Sequence, residues 1–153
     1  MNFTARSVIP TTPERLFAFH ELPDVMDRLM PPWERAEILE RAADLRPGSR
    51  AVARIRVAPL ISLRLESLHT FYDPPRRFED QQVRGPFRKW HHRHIVEPHP
   101  DGAVLIDDIE FEPPFGILAR PFVMRRLRRL FDYRHRVTRD YFTSTSSAAP
   151  PSL

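Results

Sequence analysis

Residues 84–102 read RGPFRKWHHRHIVEPHPDG. Gly85-Pro86 at one end and His99-Pro100-Asp101-Gly102 at the other are strong turn signals, because proline fixes φ and glycine admits conformations closed to other residues. Between them we read one strand, 87–98, with hairpin partners at 77–83 and 103–112. Working outward, SLRLESLHTFY at 62–72 alternates, placing Leu63, Leu65, Ser67, His69 and Phe71 on one face before Asp73-Pro74-Pro75 stops it. RAVARIRVA at 50–58 alternates too, with Ala51, Ala53, Ile55 and Val57 on one side and arginines mostly on the other. Five strands joined in sequence by short connections make an antiparallel run.

The flanks have a different character. NFTARSVI at 2–9 has the composition of a strand, and Thr11-Thr12-Pro13-Glu14 supplies a hydroxyl N-cap with proline at the first helical position. Leu16, Phe17 and Phe19 give the short helix that follows an apolar face. Pro23 ends it, and 24–29 form a further turn or two before Pro31-Pro32. WERAEILERAADL at 33–45 has the alanine, leucine and glutamate content of a helix. Its brevity and the Arg46-Pro47-Gly48-Ser49 turn leading into the next strand also permit a strand. After Pro113-Pro114-Phe115-Gly116 the period changes: Leu118, Phe122, Val123, Leu127, Leu130, Phe131 and Arg134 are spaced for one long helix over 117–142. The tail 143–153, TSTSSAAPPSL, reads as disordered.

A chain of 153 residues, 41% hydrophobic and 29% charged, suits one globular domain, which we assign to 1–142. No apolar run approaches the ~20 residues that cross a bilayer, and the first residues lack a secretory signal, so a cytoplasmic location without stable membrane insertion is expected. With no cysteine there is no disulfide, thiolate metal site or cysteine nucleophile. The net charge of +4 is carried almost wholly by arginine, Lys89 being the sole lysine. Arginine spread along the chain is a weak nucleic-acid footprint, and no nucleic-acid partner is expected. The local group from Arg120 to Arg139 reads first as a solvated helix face.

This order of elements, together with Pro31-Pro32-Trp33, Gly85-Pro86-Phe87 with Trp90, His92 and His94, Pro113 to Gly116, and Phe131 with Tyr133, Arg134 and His135, resembles the SRPBCC superfamily over about residues 3–138. That superfamily includes START lipid-transfer domains, pollen-allergen-like proteins, aromatic polyketide cyclases and CoxG-like proteins; the motifs resemble an uncharacterised bacterial group within it. The resemblance implies an α+β helix-grip fold, in which a seven-stranded antiparallel sheet curls around a long C-terminal helix, two short helices follow the first strand, and a cavity lies between sheet and helix. It also makes 36–44 a strand.

On that fold the turns set a register. A loop at 99–102 pairs Pro98 with Ala103 and sets His94 opposite Asp107, His92 opposite Ile109 and Trp90 opposite Phe111. A loop at 85–87 sets Asp80 opposite His92, Gln82 opposite Trp90 and Phe78 opposite His94. The expected inward wall therefore holds Phe78, Asp80, Gln82, Trp90, His92, His94, Asp107, Ile109 and Phe111, while His91 faces solvent. Directly opposed side chains can pair Asp80 with His92 and Asp107 with His94, raising both histidine pKa values. His69 lies on an apolar strand face, Arg134 is the polar member of the helix stripe and can answer a carboxylate or an acidic ligand, and Tyr133 and His135 are expected nearer the sheet edges.

Three roles remain for His92 and His94: a polar network lining a ligand cavity, general acid–base chemistry with Asp80 and Asp107, or a metal site. Carboxylate pairing and the lack of an extended ligand signature argue for no metal and no cofactor. The expected activity is binding of a small hydrophobic molecule or lipid through Phe78, Asp80, Gln82, Trp90, His92, His94, Asp107, Phe111, His69 and Arg134. The alternatives are a cyclase- or dehydratase-like enzyme using the same patch, and a lipid carrier working at anionic membrane surfaces.

Overall fold

The computed structural model describes residues 1–58 and 60–146. The elements are β1 (Asn2–Ile9), α1 (Pro13–His20), α2 (Val25–Arg28), β2 (Ala36–Glu40), β3 (Arg50–Ala58), β4 (Ile61–Asp73), β5 (Arg77–Arg84), β6 (Lys89–His99), β7 (Gly102–Glu112), a 3-10 turn (Gly116–Ala119) and α3 (Arg120–Ser146). The strands form one seven-stranded sheet in the order β1-β7-β6-β5-β4-β3-β2, with every neighbouring pair antiparallel. β2 to β7 follow one another; only β1 crosses over, to close against β7. With the long C-terminal helix packed on one face, this is the α+β helix-grip arrangement.

Local chemistry explains the elements. At α1, Thr12 Oγ1 accepts a hydrogen bond from the Arg15 amide at 3.4 Å, and Pro13 occupies the first turn, where its missing N–H costs nothing. Leu16, Phe17 and Phe19 turn inward and join Ile9, Phe78, Val96, Leu105 and Phe142 in a core. β2 overrides its helical composition. A five-residue helix is barely stable alone, whereas here the segment gains a backbone ladder with β3, Ala36 opposite Ile55 and Ile38 opposite Ala53. The same glutamates that favour helix pair across the ladder, Glu37 with Arg54 and Glu40 with Arg50, each at 2.9 Å. The strand ends at Glu40, before the expected 44.

Both hairpins hold the expected register through different turns. At β6–β7 the ladder runs to His99 opposite Gly102, leaving Pro100-Asp101 as the turn. Gly102 sits at φ 139°, and a Cβ there would lie 2.2 Å from the Ile9 carbonyl oxygen. At β5–β6 the ladder stops at Gln81 opposite His91. Gln82 then turns its side chain on the loop: Nε2 donates to the Phe87 carbonyl at 2.6 Å and Oε1 accepts from the Phe87 amide at 3.4 Å. Gln82 clamps the hairpin instead of facing Trp90.

α3 departs from expectation at both ends. Leu118 and Phe122 stand in solvent, and the packed stripe is Leu127, Phe131, His135, Thr138 and Phe142, at intervals of three and four residues. Leu127 and Phe131 meet Phe3, Ile109 and Phe111 in a second core. The helix continues through 143–146, which were expected to be disordered; the rest of that tail, 147–153, lies outside the described residues.

Candidate functional site

The pleat of β5, β6 and β7 sends Phe78, Asp80, Trp90, His92, His94, Asp107, Ile109 and Phe111 to the face that α3 covers, with Asp80 opposite His92, Phe78 opposite His94 and His94 opposite Asp107. The outer face carries its own ladder. There His91 Nε2 lies 2.7 Å from Glu79, and Arg93 donates to Asp108 at 3.0 Å. His91 was expected in solvent; it is half-buried by this ladder, its side chain 16% exposed.

On the inner face the tight contacts run diagonally as well as across. Asp107 is the hub. Its Oδ1 accepts from His92 Nε2 at 2.7 Å, its Oδ2 accepts from His135 Nε2 at 2.6 Å, and His94 Nδ1 lies 3.0 Å from Oδ1, off the hydrogen-bond axis. Asp80 is held more loosely: its Oδ2 is 3.3 Å from His94 Nε2 and 3.6 Å from His92 Nδ1. The His92 and His94 rings lie against each other with centroids 3.7 Å apart, and His94 stacks on Phe78 at 4.1 Å. His92, Asp107 and His135 are sealed, whereas the side chains of Asp80 and His94 keep 16% and 15% of their surface.

His135 therefore sits at the centre of the site and not near a sheet edge. Its Nδ1 is 2.8 Å from Ser7 Oγ on β1, so the cluster joins β1, β5, β6, β7 and α3. The sequence signal was the spacing Leu127, Phe131, His135, Thr138: continuing the stripe in steps of three and four leads to His135, with Arg134 beside it. Arg134 is half-buried; its Nε donates to the Leu29 carbonyl at 3.3 Å and its guanidinium lies 5.4 Å from the Phe131 ring centre. Among the described residues it forms no ion pair, though Asp107 and Asp80 act on it electrostatically. His69 pairs with Asp80 in the β4–β5 ladder, and its buried Nδ1 has no hydrogen-bond partner among the described residues. His20 is a further buried imidazole, bound to the Leu16 carbonyl at 2.9 Å, with its ring centre 6.0 Å from that of His94.

The electrostatics separate groups that look alike in sequence. Burial alone would raise both carboxyls, but the hydrogen bonds from His135 and His92, with His94 close by, hold Asp107 well below the usual 3.8, and His94 with the neighbouring imidazoles holds Asp80 below it. Burial opposes charge on His94, yet its contacts with Asp107 and Asp80 push it up to about 9. His92 goes the other way. Burial and the adjacent charge on His94 lower it from 6.5 in spite of Asp107, so the expectation that both histidines are raised holds for His94 alone. Burial, then His94, depresses His20 to about 4. Two carboxylates thus face one imidazolium and the nearby Arg134, with His92 and His20 neutral.

Two hollows adjoin this region. One of about 410 Å³ lies between α2 and β2, lined by Met30, Pro31, Glu34, Ala36 and Ile38 among others. Another of about 340 Å³ lies between Phe19 and the α3 residues Tyr133, Val137 and Tyr141. Asp80, His92, His94 and Asp107 are not among the lining residues of either hollow. The first is close to the cluster's helix side: its residue Met30 follows Leu29, whose carbonyl holds Arg134.

An antiparallel sheet gripping a C-terminal helix defines a helix-grip protein of the kind seen in several solved structures. The chain is similar to TTHA0849 from Thermus thermophilus, with a TM-score of 0.70 and 19% identity over 95% of this chain and 99% of that one. It is similar to Ara h 8.0201, with a TM-score of 0.67 and 16% identity over 94% and 98%. It is also similar to part of the nucleoside-diphosphate sugar epimerase from Corynebacterium glutamicum, with a TM-score of 0.74 and 19% identity over 95% of this chain and 30% of that protein. At these identities the likeness is one of fold. No curated protein matches the sequence. The chain belongs to the family described as Domain of unknown function (DUF8410), which matches residues 7–142.

Proposed function

We propose that this protein binds a small, largely apolar molecule between α2, β2 and α3, with Arg134, Asp80 and His94 orienting its polar end. The supporting observation is a partly reachable, charge-bearing edge, Asp80 and His94, on a sealed His92–Asp107–His135 base, linked to a hollow of about 410 Å³ through Arg134, on which both Asp80 and the hollow's Glu34 act electrostatically. That volume falls within the range of ligand pockets, and its lining sets Met30, Pro31, Pro32, Ala36 and Ile38 beside the charged Asp27, Glu34 and Arg41. Well-packed apolar side chains in place of a buried ion network are commonly neutral or stabilising, so its cost points to use. Native mass spectrometry of the purified full chain, followed by solvent extraction, tests the reading. One small molecule per chain is expected, and Ala36→Phe, which fills the hollow, should weaken binding of the extracted compound at least about tenfold. A chain that carries no compound and gives no saturable binding of the apolar probe 1-anilinonaphthalene-8-sulfonate contradicts it.

A protonated His94 only 3.3 Å from an ionised, reachable Asp80 also suits an acid and a base acting on one substrate, as in a cyclase- or dehydratase-like enzyme. Substituting His92 and His94 with glutamine separates the readings: a binder keeps its affinity within a few fold, whereas acid–base turnover falls about 10²-fold or more.

A lipid-carrying role at an anionic membrane surface draws on a different feature. Phe115, Ile117, Leu118 and Phe122 are 84%, 74%, 84% and 70% exposed, and residues 113–131 hold five arginines and no acidic residue. The ladders put the β3–β4 turn, with Leu60 98% exposed, at the same end of the sheet. Vesicle flotation with and without anionic lipid, at low and high salt, tests this; binding of neutral vesicles alone, or none, excludes it.

A further inference from the structure

We propose that Asp80 Oδ2, His92 Nδ1 and His94 Nε2 form a binding site for one divalent first-row transition-metal ion. The inference is independent of whether an organic ligand is bound, and it replaces the expectation that carboxylate pairing leaves these histidines no ligand role.

Each imidazole turns one ring nitrogen toward Asp107 and the other toward Asp80. His92 Nε2 sits 2.7 Å from Asp107 Oδ1, the length of a charge-assisted hydrogen bond, so the ring proton of a neutral His92 is on Nε2. Its Nδ1 then presents a lone pair toward Asp80 Oδ2, 3.6 Å away: two acceptors face each other with no proton between them. His94 makes the second contact, a long hydrogen bond from Nε2 to that oxygen whose proton a metal ion would displace. Its Nδ1 is on the Asp107 side at 3.0 Å, and its Nε2 points to the same Asp80 oxygen at 3.3 Å. These separations are long for hydrogen bonds. They are close to the edge of a tetrahedron whose metal–nitrogen and metal–oxygen bonds are about 2.0–2.1 Å, an edge of about 3.3–3.5 Å.

One ligand atom from each of Asp80, His92 and His94 lies within 4.8 Å of the other two. The carboxylate behind the two imidazoles is the support that metal-bound histidines characteristically have, since accepting the other ring N–H fixes the tautomer and raises ligand basicity. Asp107 supplies it to His92 by a hydrogen bond and lies 3.0 Å from His94 Nδ1, and His135 anchors Asp107 in turn. Two imidazoles and one carboxylate suit zinc, iron(II), cobalt(II) or nickel(II) better than magnesium or calcium. Asp80 and His94 keep a reachable surface, so an ion bound there has an open position for water or a ligand atom.

The test uses metal alone. The full chain, stripped with a chelator and dialysed, is titrated with cobalt(II), then with zinc in competition. One cobalt per chain with the visible absorption of a four- or five-coordinate site is expected, displaced by zinc. Asp80→Asn and His94→Gln should each weaken binding by tenfold or more, and Asp107→Asn by about 10–100-fold. His91→Gln, on the outer face, should leave it unchanged. Because a variant in the buried cluster can lose its fold, zinc is also added to the wild type under nuclear magnetic resonance. His92 and His94 ring signals should shift while His91 and His99 stay. Absence of saturable binding, binding undiminished in both Asp80→Asn and His94→Gln, or zinc acting on His91 and His99 instead overturns the proposal.

Discussion

Asp80 and Asp107 stand opposite neighbouring histidines on the same face, yet they do different work. Asp107 is sealed and receives two imidazole hydrogen bonds with a third ring close by; Asp80 is reachable and makes longer contacts with two. Asp107→Asn should therefore cost about 3 kcal/mol or more in urea denaturation, because it leaves buried imidazoles without the charge that holds them. Asp80→Asn should cost about 1 kcal/mol, since water can reach the remaining amide. Equal losses would mean that the hub is misassigned. Much of this was legible from turn positions: the loops at 85–87 and 99–102 correctly aligned Asp80, His92, His94 and Asp107. The diagonal contacts were not, because a register fixes which Cβ atoms are opposed and not which rotamers the imidazoles take. Nor was the opposite fate of His92 and His94, which depends on how two adjacent rings share one positive charge.

Among the elements, β2 and the β6–β7 hairpin show two limits of local sequence. The composition of 36–40 argues for helix, and only the non-local ladder with β3 makes it a strand; the family resemblance carried that information where propensity could not. The hairpin reads directly. Gly102 combines a positive φ of 139° with a backbone oxygen 2.2 Å from where its Cβ would be, so β1 packs against the turn only with glycine there. Gly102→Ala should cost about 2 kcal/mol or more by thermal or urea unfolding, with slackened protection of the Ile9 and Thr11 amides in hydrogen exchange. A neutral effect would mean that the turn relaxes freely. In α3 the period was legible and the phase was not, since Leu118 and Phe122 are as apolar as the buried Leu127 and Phe131, and only the position of the sheet decides between them.

For the whole molecule, opposed histidine shifts shape stability against pH. His94 is raised to about 9, so its contribution is complete below the ordinary 6.5 and is lost as pH climbs from there through about 9. His20 is depressed to about 4 and His92 is also lowered, so their burial as neutral rings favours folding above 6.5 and is lost as pH falls below it. The depressed Asp80 and Asp107 add a loss at still lower pH. Stability should peak near pH 6–7 and fall on both sides in denaturation measured from pH 4 to 10; a monotonic profile would show that one set of groups is misread. The most direct measurement is long-range proton–nitrogen nuclear magnetic resonance of the histidine rings in the metal-free wild type. Convergence on Asp107 requires a persistent Nε2 proton on His92 and on His135, a His92 midpoint below 6.5, and a His94 midpoint near 9. Mixed tautomers on His92 and His135, with His92 and His94 both titrating near 6.5 as they would in water, would contradict it.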